Sequence, residues 1–170
     1  MLIDTNALSA WADGDAGLNP IFQKANLIAL PVVVLGEYRF GIRQSRRRDH
    51  YEVWLETFLT QCEVLNVDVL TTIHYAAVRS ELKQIGRPIP ANDMWIAALA
   101  RQHRLPVLTR DRHFDSLSDL LRINWHPYAR PGNAPSEFPA TSNAYAPKIR
   151  ACAGIDLSCR SEVNRSSAKL

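Results

Sequence analysis

The run Asn92-Asp93-Met94-Trp95-Ile96-Ala97-Ala98-Leu99-Ala100, with Pro106-Val107-Leu108-Thr109-Arg110-Asp111 close behind it, decides the fold class. The first part is apolar on every side of a helix, and such a helix is stable only when buried. The second part is a short strand signal, opened by a proline and closed by polar residues. A buried helix feeding a short strand is half of an α/β unit. Asn92-Asp93 stands where a helix N-cap is expected, and Asp111 follows two residues after Thr109, the end of the strand signal.

The same alternation extends in both directions. Leu2-Ile3 reads as a very short strand that stops at Asp4, and Asp4-Thr5-Asn6 is a helix-start signal. Residues 27–30 give a second strand closed by Pro31, residues 64–67 a third, and residues 121–125 a last one. Helical spacing runs over residues 32–44 and over 49–61, where Tyr51, Trp54, Leu55, Phe58 and Leu59 form an apolar stripe. It recurs over residues 71–85, with Gly86 as the stop and Pro88 and Pro90 behind it. Short strands between helices predict an α/β sandwich, with a mostly parallel central sheet of four to five short strands flanked by helices.

Composition sets the limits of this reading. The 170 residues, 46% of them hydrophobic, suit one domain of ordinary size. No apolar run approaches the roughly 18 residues of a membrane span. The N-terminus lacks the basic start and apolar stretch of a signal peptide, so the expected address is the cytoplasm, without a membrane partner. Cys62, Cys152 and Cys159 match no metal-ligand spacing and read as unpaired thiols of a reducing compartment.

The net charge of +3 is unevenly spread. Residues 129–170 hold 6 basic and 3 acidic residues, which leaves 14 of each for residues 1–128. Only 6 residues of that last segment are Leu, Ile, Val or Phe, too few to offset the entropy of ordering it. The expected division is a folded domain over 1–128 and a disordered, Pro/Ser/Ala-rich tail over 129–170. Within the domain Arg39, Arg43, Arg46, Arg47 and Arg48 cluster. They form either a solvated helix end or a phosphate-facing patch, in which Arg39, Arg43 and Arg46 are the candidates for touching RNA.

In open parallel sheets, sites form at the carboxyl ends of strands. Asp4, Glu37, Asp93 and Asp111 all fall near such ends. Each has a bland account: Asp4 and Asp93 as helix caps, Asp111 as a turn residue. Glu37 fits that account least, because its neighbours one turn away are Val33, Val34, Phe40 and Gly41 and offer no ion pair. Four carboxylates at one sheet edge repel each other, and a hard divalent ion such as Mg²⁺ or Mn²⁺ removes that conflict. Such an ion can activate water against a phosphodiester. No histidine has an obvious catalytic partner in the sequence.

In order and spacing these segments resemble the PIN-domain family. Asp4-Thr5-Asn6 is similar to its opening motif, Glu37 within Val-Val-Leu-Gly-Glu-Tyr to its second, Asn92-Asp93 to its third and Leu108-Thr109-Arg110-Asp111-Arg112-His113-Phe114 to its fourth. The resemblance covers about residues 1–127 and is nearest in size to the VapC-like toxins of type II toxin–antitoxin systems. It implies a PIN-like sandwich and an Mg²⁺- or Mn²⁺-dependent endoribonuclease with Asp4, Glu37, Asp93 and Asp111 as metal-binding catalytic acids. Thr5, Asn6 and Thr109 would orient them, and Asp115 would help or replace Asp111. It further implies an RNA substrate, a homodimer and a small antitoxin partner that places a basic side chain among the acids. Trp54, Phe58 and Tyr75 are the expected exposed interface residues.

Three other readings compete. A haloacid-dehalogenase-like phosphatase needs a second aspartate where Asn6 stands, and a receiver domain needs paired acids and a late lysine that are missing. A DNA- or structure-specific nuclease on the same fold remains open, as does a non-catalytic PIN interaction module.

Overall fold

The computed structural model describes residues 1–125. The expected tail, the boundary at residue 128, Cys152 and Cys159 lie outside the described residues. The chain runs through β1 (Leu2–Ile3), α1 (Thr5–Ala12), α2 (Asn19–Lys24), β2 (Ala29–Pro31), α3 (Val32–Gln44) and α4 (Arg48–Leu59). It continues through β3 (Glu63–Leu65), α5 (Val69–Gln84), α6 (Ala91–His103), β4 (Val107–Leu108) and β5 (Arg122–Ile123).

All five strands are parallel, in the order β3-β2-β1-β4-β5. From β1 the chain moves outward through β2 to β3, then returns to β1's other side for β4 and β5. The connections therefore reverse direction between β1 and β4, and a crevice opens beyond their carboxyl ends. Leu2 pairs with Val107 and Ile3 with Leu108, so Asp4 and Thr109 leave the sheet side by side.

The strands are short but wholly buried where they matter: Leu2, Ile3, Ala29, Leu30, Val107 and Leu108 are fully inaccessible. The all-round apolar run packs as expected, with Ile96 to Ala100 buried and α6 lying against α5 and α3. Gly86 ends the α5 segment at φ 66°, a left-handed conformation that glycine adopts without a Cβ clash.

Several local expectations shift. Helix α6 begins at Ala91 behind Pro90, so Asp93 lies in the first turn and is not the cap. Helix α5 begins earlier than residue 71, at a capping box in which Asp68 accepts from the Thr71 N–H and Thr71 in turn accepts from the Asp68 N–H. Helix α2, which has Pro20 in its first turn, and the 3-10 turn Ala16–Leu18 are too short for periodicity to reveal.

The expected exposed aromatics are also reassigned. Phe58 is buried, Trp54 stacks on it at 5.2 Å, and Tyr75 stacks on Trp95 at 4.0 Å. The exposed apolar side chains include Val69, Leu70 and Ile73 at the start of α5, together with Phe40 on α3 and Val53 on α4.

Candidate active site

At the end of β1 the Asp4 N–H donates to the Leu108 carbonyl at 3.2 Å, which joins the Asp4 backbone to the end of β4. Its side chain is the N-cap of α1, with Oδ1 accepting from the Thr5 N–H at 2.7 Å. Oδ2 accepts from Asn6 Nδ2 and from the Thr109 hydroxyl, each at 2.6 Å. One oxygen of Asp4 thus caps α1, while the other is held by Asn6 and Thr109. Asp4 is buried, and the burial pushes its carboxyl upward against the opposing effect of these donors; the charges of Asp93 and Glu37 push the same way.

Thr109 ties this end of the sheet together. Its fully buried hydroxyl also accepts from Asn6 Nδ2 and from the Asp111 N–H, both at 2.9 Å. Asn6 Oδ1 accepts from the Arg110 N–H at 3.2 Å. One threonine and one asparagine thus fix the Asp4 carboxylate against the loop that carries Asp111.

Glu37 lies on α3 and reaches the same place. It accepts from the Thr5 hydroxyl on α1 and from Asn92 Nδ2 on α6. Local sequence offers it no partner, yet the fold supplies two, both neutral. Asn92 was expected only as part of a cap, and its hold on Glu37 is visible only in three dimensions.

Asp93 faces His113, whose Nδ1 lies 2.8 Å from Asp93 Oδ2 and 3.1 Å from Asp111 Oδ1. Asp111 caps the 3-10 turn Arg112–Ser116 by accepting from the His113 N–H at 2.9 Å. The Asp93 carboxyl is raised chiefly by burial, opposed by the His113 hydrogen bond and raised further by the charges of Asp111 and Glu37. A histidine partner that sequence reasoning did not find is therefore present. Ligand atoms of Asp93, Asp111 and His113 all lie within 4.8 Å of one another.

Asp4, Glu37, Asp93 and Asp111 line one open cavity of about 810 Å³, together with Thr5, Asn6 and Asn92. Val32, Val33 and Phe40 give it an apolar flank. Asp115 does not join them. Arg122 binds both its oxygens, at 2.5 and 3.0 Å. Arg39 pairs with Glu56 at 3.0 Å, while Arg43 and Arg46 are exposed near the far end of α3.

Residues 1–120 match the family model described as PIN domain. The chain is 33% identical to ribonuclease VapC5 of Mycobacterium tuberculosis, a match covering 68% of this chain and 86% of the relative. It is 28% identical to ribonuclease VapC2 of Rickettsia felis, covering 73% and 96%. Among solved structures it resembles a member of the VapBC family of toxin–antitoxin systems, VapBC-5 from Mycobacterium tuberculosis. That likeness has a TM-score of 0.54 and 28% identity, over 72% of this chain and 96% of the other.

Proposed function

This chain belongs to the PIN-domain family, in the company of the VapC ribonucleases, and we propose that it is the metal-dependent endoribonuclease toxin of a toxin–antitoxin pair. One observation carries the chemistry: four carboxylates from distant parts of the chain line a single cavity, and their only side-chain partners among the described residues are neutral donors and one histidine. Among those residues no arginine or lysine forms an ion pair with any of the four. Oxygen donors in this number suit Mg²⁺ or Mn²⁺.

Asp4, Glu37, Asp93 and Asp111 would hold the ion. Bound there, Mg²⁺ or Mn²⁺ supplies an activated water and charge neutralisation at a phosphodiester. Thr5, Asn6, Asn92 and Thr109 fix the carboxylate oxygens, so that little reorganisation is needed as the site fills. RNA approaches along α3, which leads from the cavity at Glu37 to the exposed Arg43 and Arg46. The apolar flank of Val32, Val33 and Phe40 suits a short antitoxin segment, whose basic side chain would take the ion's place among the acids. Two copies are expected to associate, with the apolar start of α5 as the candidate contact, and to work in the cytoplasm. Among the described residues no helix is long and apolar enough to cross a membrane.

Purified protein should cut single-stranded RNA with Mg²⁺ or Mn²⁺ and stop in EDTA. Produced alone in a bacterium it should arrest growth, and the product of an adjacent small reading frame should restore it. Cleavage that survives EDTA would overturn the metal reading. A harmless wild-type protein that no neighbouring product binds would overturn the toxin reading.

A further inference from the structure

His113 has no place in the four-acid arrangement, yet its ring lies against two of the acids. Nδ1 is 2.8 Å from one carboxylate, on α6, and 3.1 Å from another, on the loop after β4. A single imidazole N–H or lone pair points in one direction and satisfies one acceptor well. The 2.8 Å contact is a hydrogen bond in the metal-free chain, and near-equal separation from two carboxylates is also the spacing of neighbouring ligand atoms around one ion. With bonds of about 2.1 Å in octahedral geometry, such atoms lie about 3.0 Å apart. The backbone supports this placement: the His113 N–H is bound to Asp111 Oδ1, which turns the ring back towards the acid that caps its own helical turn.

We propose that His113 is a nitrogen ligand, completing with Asp93 and Asp111 an O,O,N position that favours Mn²⁺ over Mg²⁺. The inference rests on the metal reading of the acid cavity and adds to it a donor and a selectivity. Imidazole binds transition ions well, whereas Mg²⁺ takes oxygen donors almost exclusively. A site of carboxylates alone would separate the two ions poorly. Coordination through Nδ1 places the ring proton on Nε2, so the imidazole is neutral in the loaded site.

The test uses the full chain with Mn²⁺ as the probe, read by pulsed electron paramagnetic resonance. The wild-type protein should show nitrogen modulation from a directly bound imidazole, and His113→Gln should lose it while melting close to wild type without metal. Mn²⁺ affinity should fall roughly tenfold or more in the variant, with Mg²⁺ affinity changing by less than about twofold. His113→Asn should behave alike, and should either variant unfold, the wild-type spectrum still decides. Mn²⁺ binding without nitrogen modulation, or modulation that survives in the variant, would overturn the assignment of His113 and leave the acid site standing. A wild-type protein that binds no Mn²⁺ would overturn both.

Discussion

The two ends of the sheet handle acidic side chains in opposite ways. At the amino end of β4 a smaller cavity of about 430 Å³ is lined by His74, Arg101, Arg104 and Asp119. There Arg101, whose side chain is only 12% exposed, binds Glu81 and Asp119 at 2.6 Å each. At the carboxyl ends of β1 and β4, four acids share threonines, asparagines and one histidine. Two arginines near that site are engaged elsewhere. Arg110 binds Asp15 at 2.8 Å and lies 4.4 Å from the centre of the Trp125 ring, and Arg122 holds Asp115. Glu81, Asp119, Asp15 and Asp115 each come with a guanidinium, and the four acids of the cavity do not. That unpaired charge is the feature on which the proposed metal site rests.

The largest expected break of this contrast is Asp93→Asn. It removes a charge from the cavity while nearly keeping the shape, and RNA cleavage should fall by more than roughly tenfold. The metal-free protein should melt no lower than wild type, because a half-buried carboxylate repelled by its neighbours has been neutralised. A variant that cuts at the wild-type rate would show that the cavity is not the site. Thr109→Val comes next. It strips a donor from Asp4 and an acceptor from Asn6 and from the Asp111 N–H, at a cost of about 2 kcal/mol in denaturant unfolding. Unchanged stability would mean that water replaces the hydroxyl.

Arg101→Met probes the opposite end. Its partners are partly exposed, so the loss should be about 1 kcal/mol, with cleavage per folded molecule unaltered. A parallel loss of activity would couple two ends that are separate in this account. The smallest effect belongs to Asp15, whose carboxyl is held below its ordinary value of 3.8 by the Trp125 N–H, the Gly17 N–H and Arg110. A depressed value stabilises the fold above the ordinary carboxylate range, and that gain is lost as pH falls through it. The stability gap between wild type and Asp15→Asn, followed through Trp125 fluorescence, should therefore narrow as pH is lowered from 6 to about 3. A gap that widens would reverse the sign.

Asp4, Asp93 and Asp111 were readable because each follows a strand signal or opens a helix signal, and such places are fixed by local pattern. Their partners were not, because partnership is tertiary. Glu37 is 32 residues from Thr5 and 55 from Asn92, and His113 is 20 from Asp93. No periodicity carries those pairings. The partner of Asp115 is hidden for the same reason, because Arg122 reaches it only once β5 is in place. Trp54 and Phe58 were taken as surplus apolar residues because the stripe on α4 does not reveal what packs over it. The asparagine and aspartate signal points to a cap at Asp93, whereas Pro90 stands at the cap position and α6 begins at Ala91.

The hydrogen bond from Thr109 to Asp4 spans 105 positions of the chain. During synthesis Asp4, Glu37 and Asp93 emerge from the ribosome first, while the β4 neighbour of β1 does not yet exist. Asp111, and the threonine that fixes Asp4, arrive only with the last strands, and a contact of such high sequence separation is slow to close. A nascent chain therefore carries most of its acids in an unassembled form. The four-acid cavity is in this way kept from forming until nearly all of residues 1–125 have left the machinery that makes them.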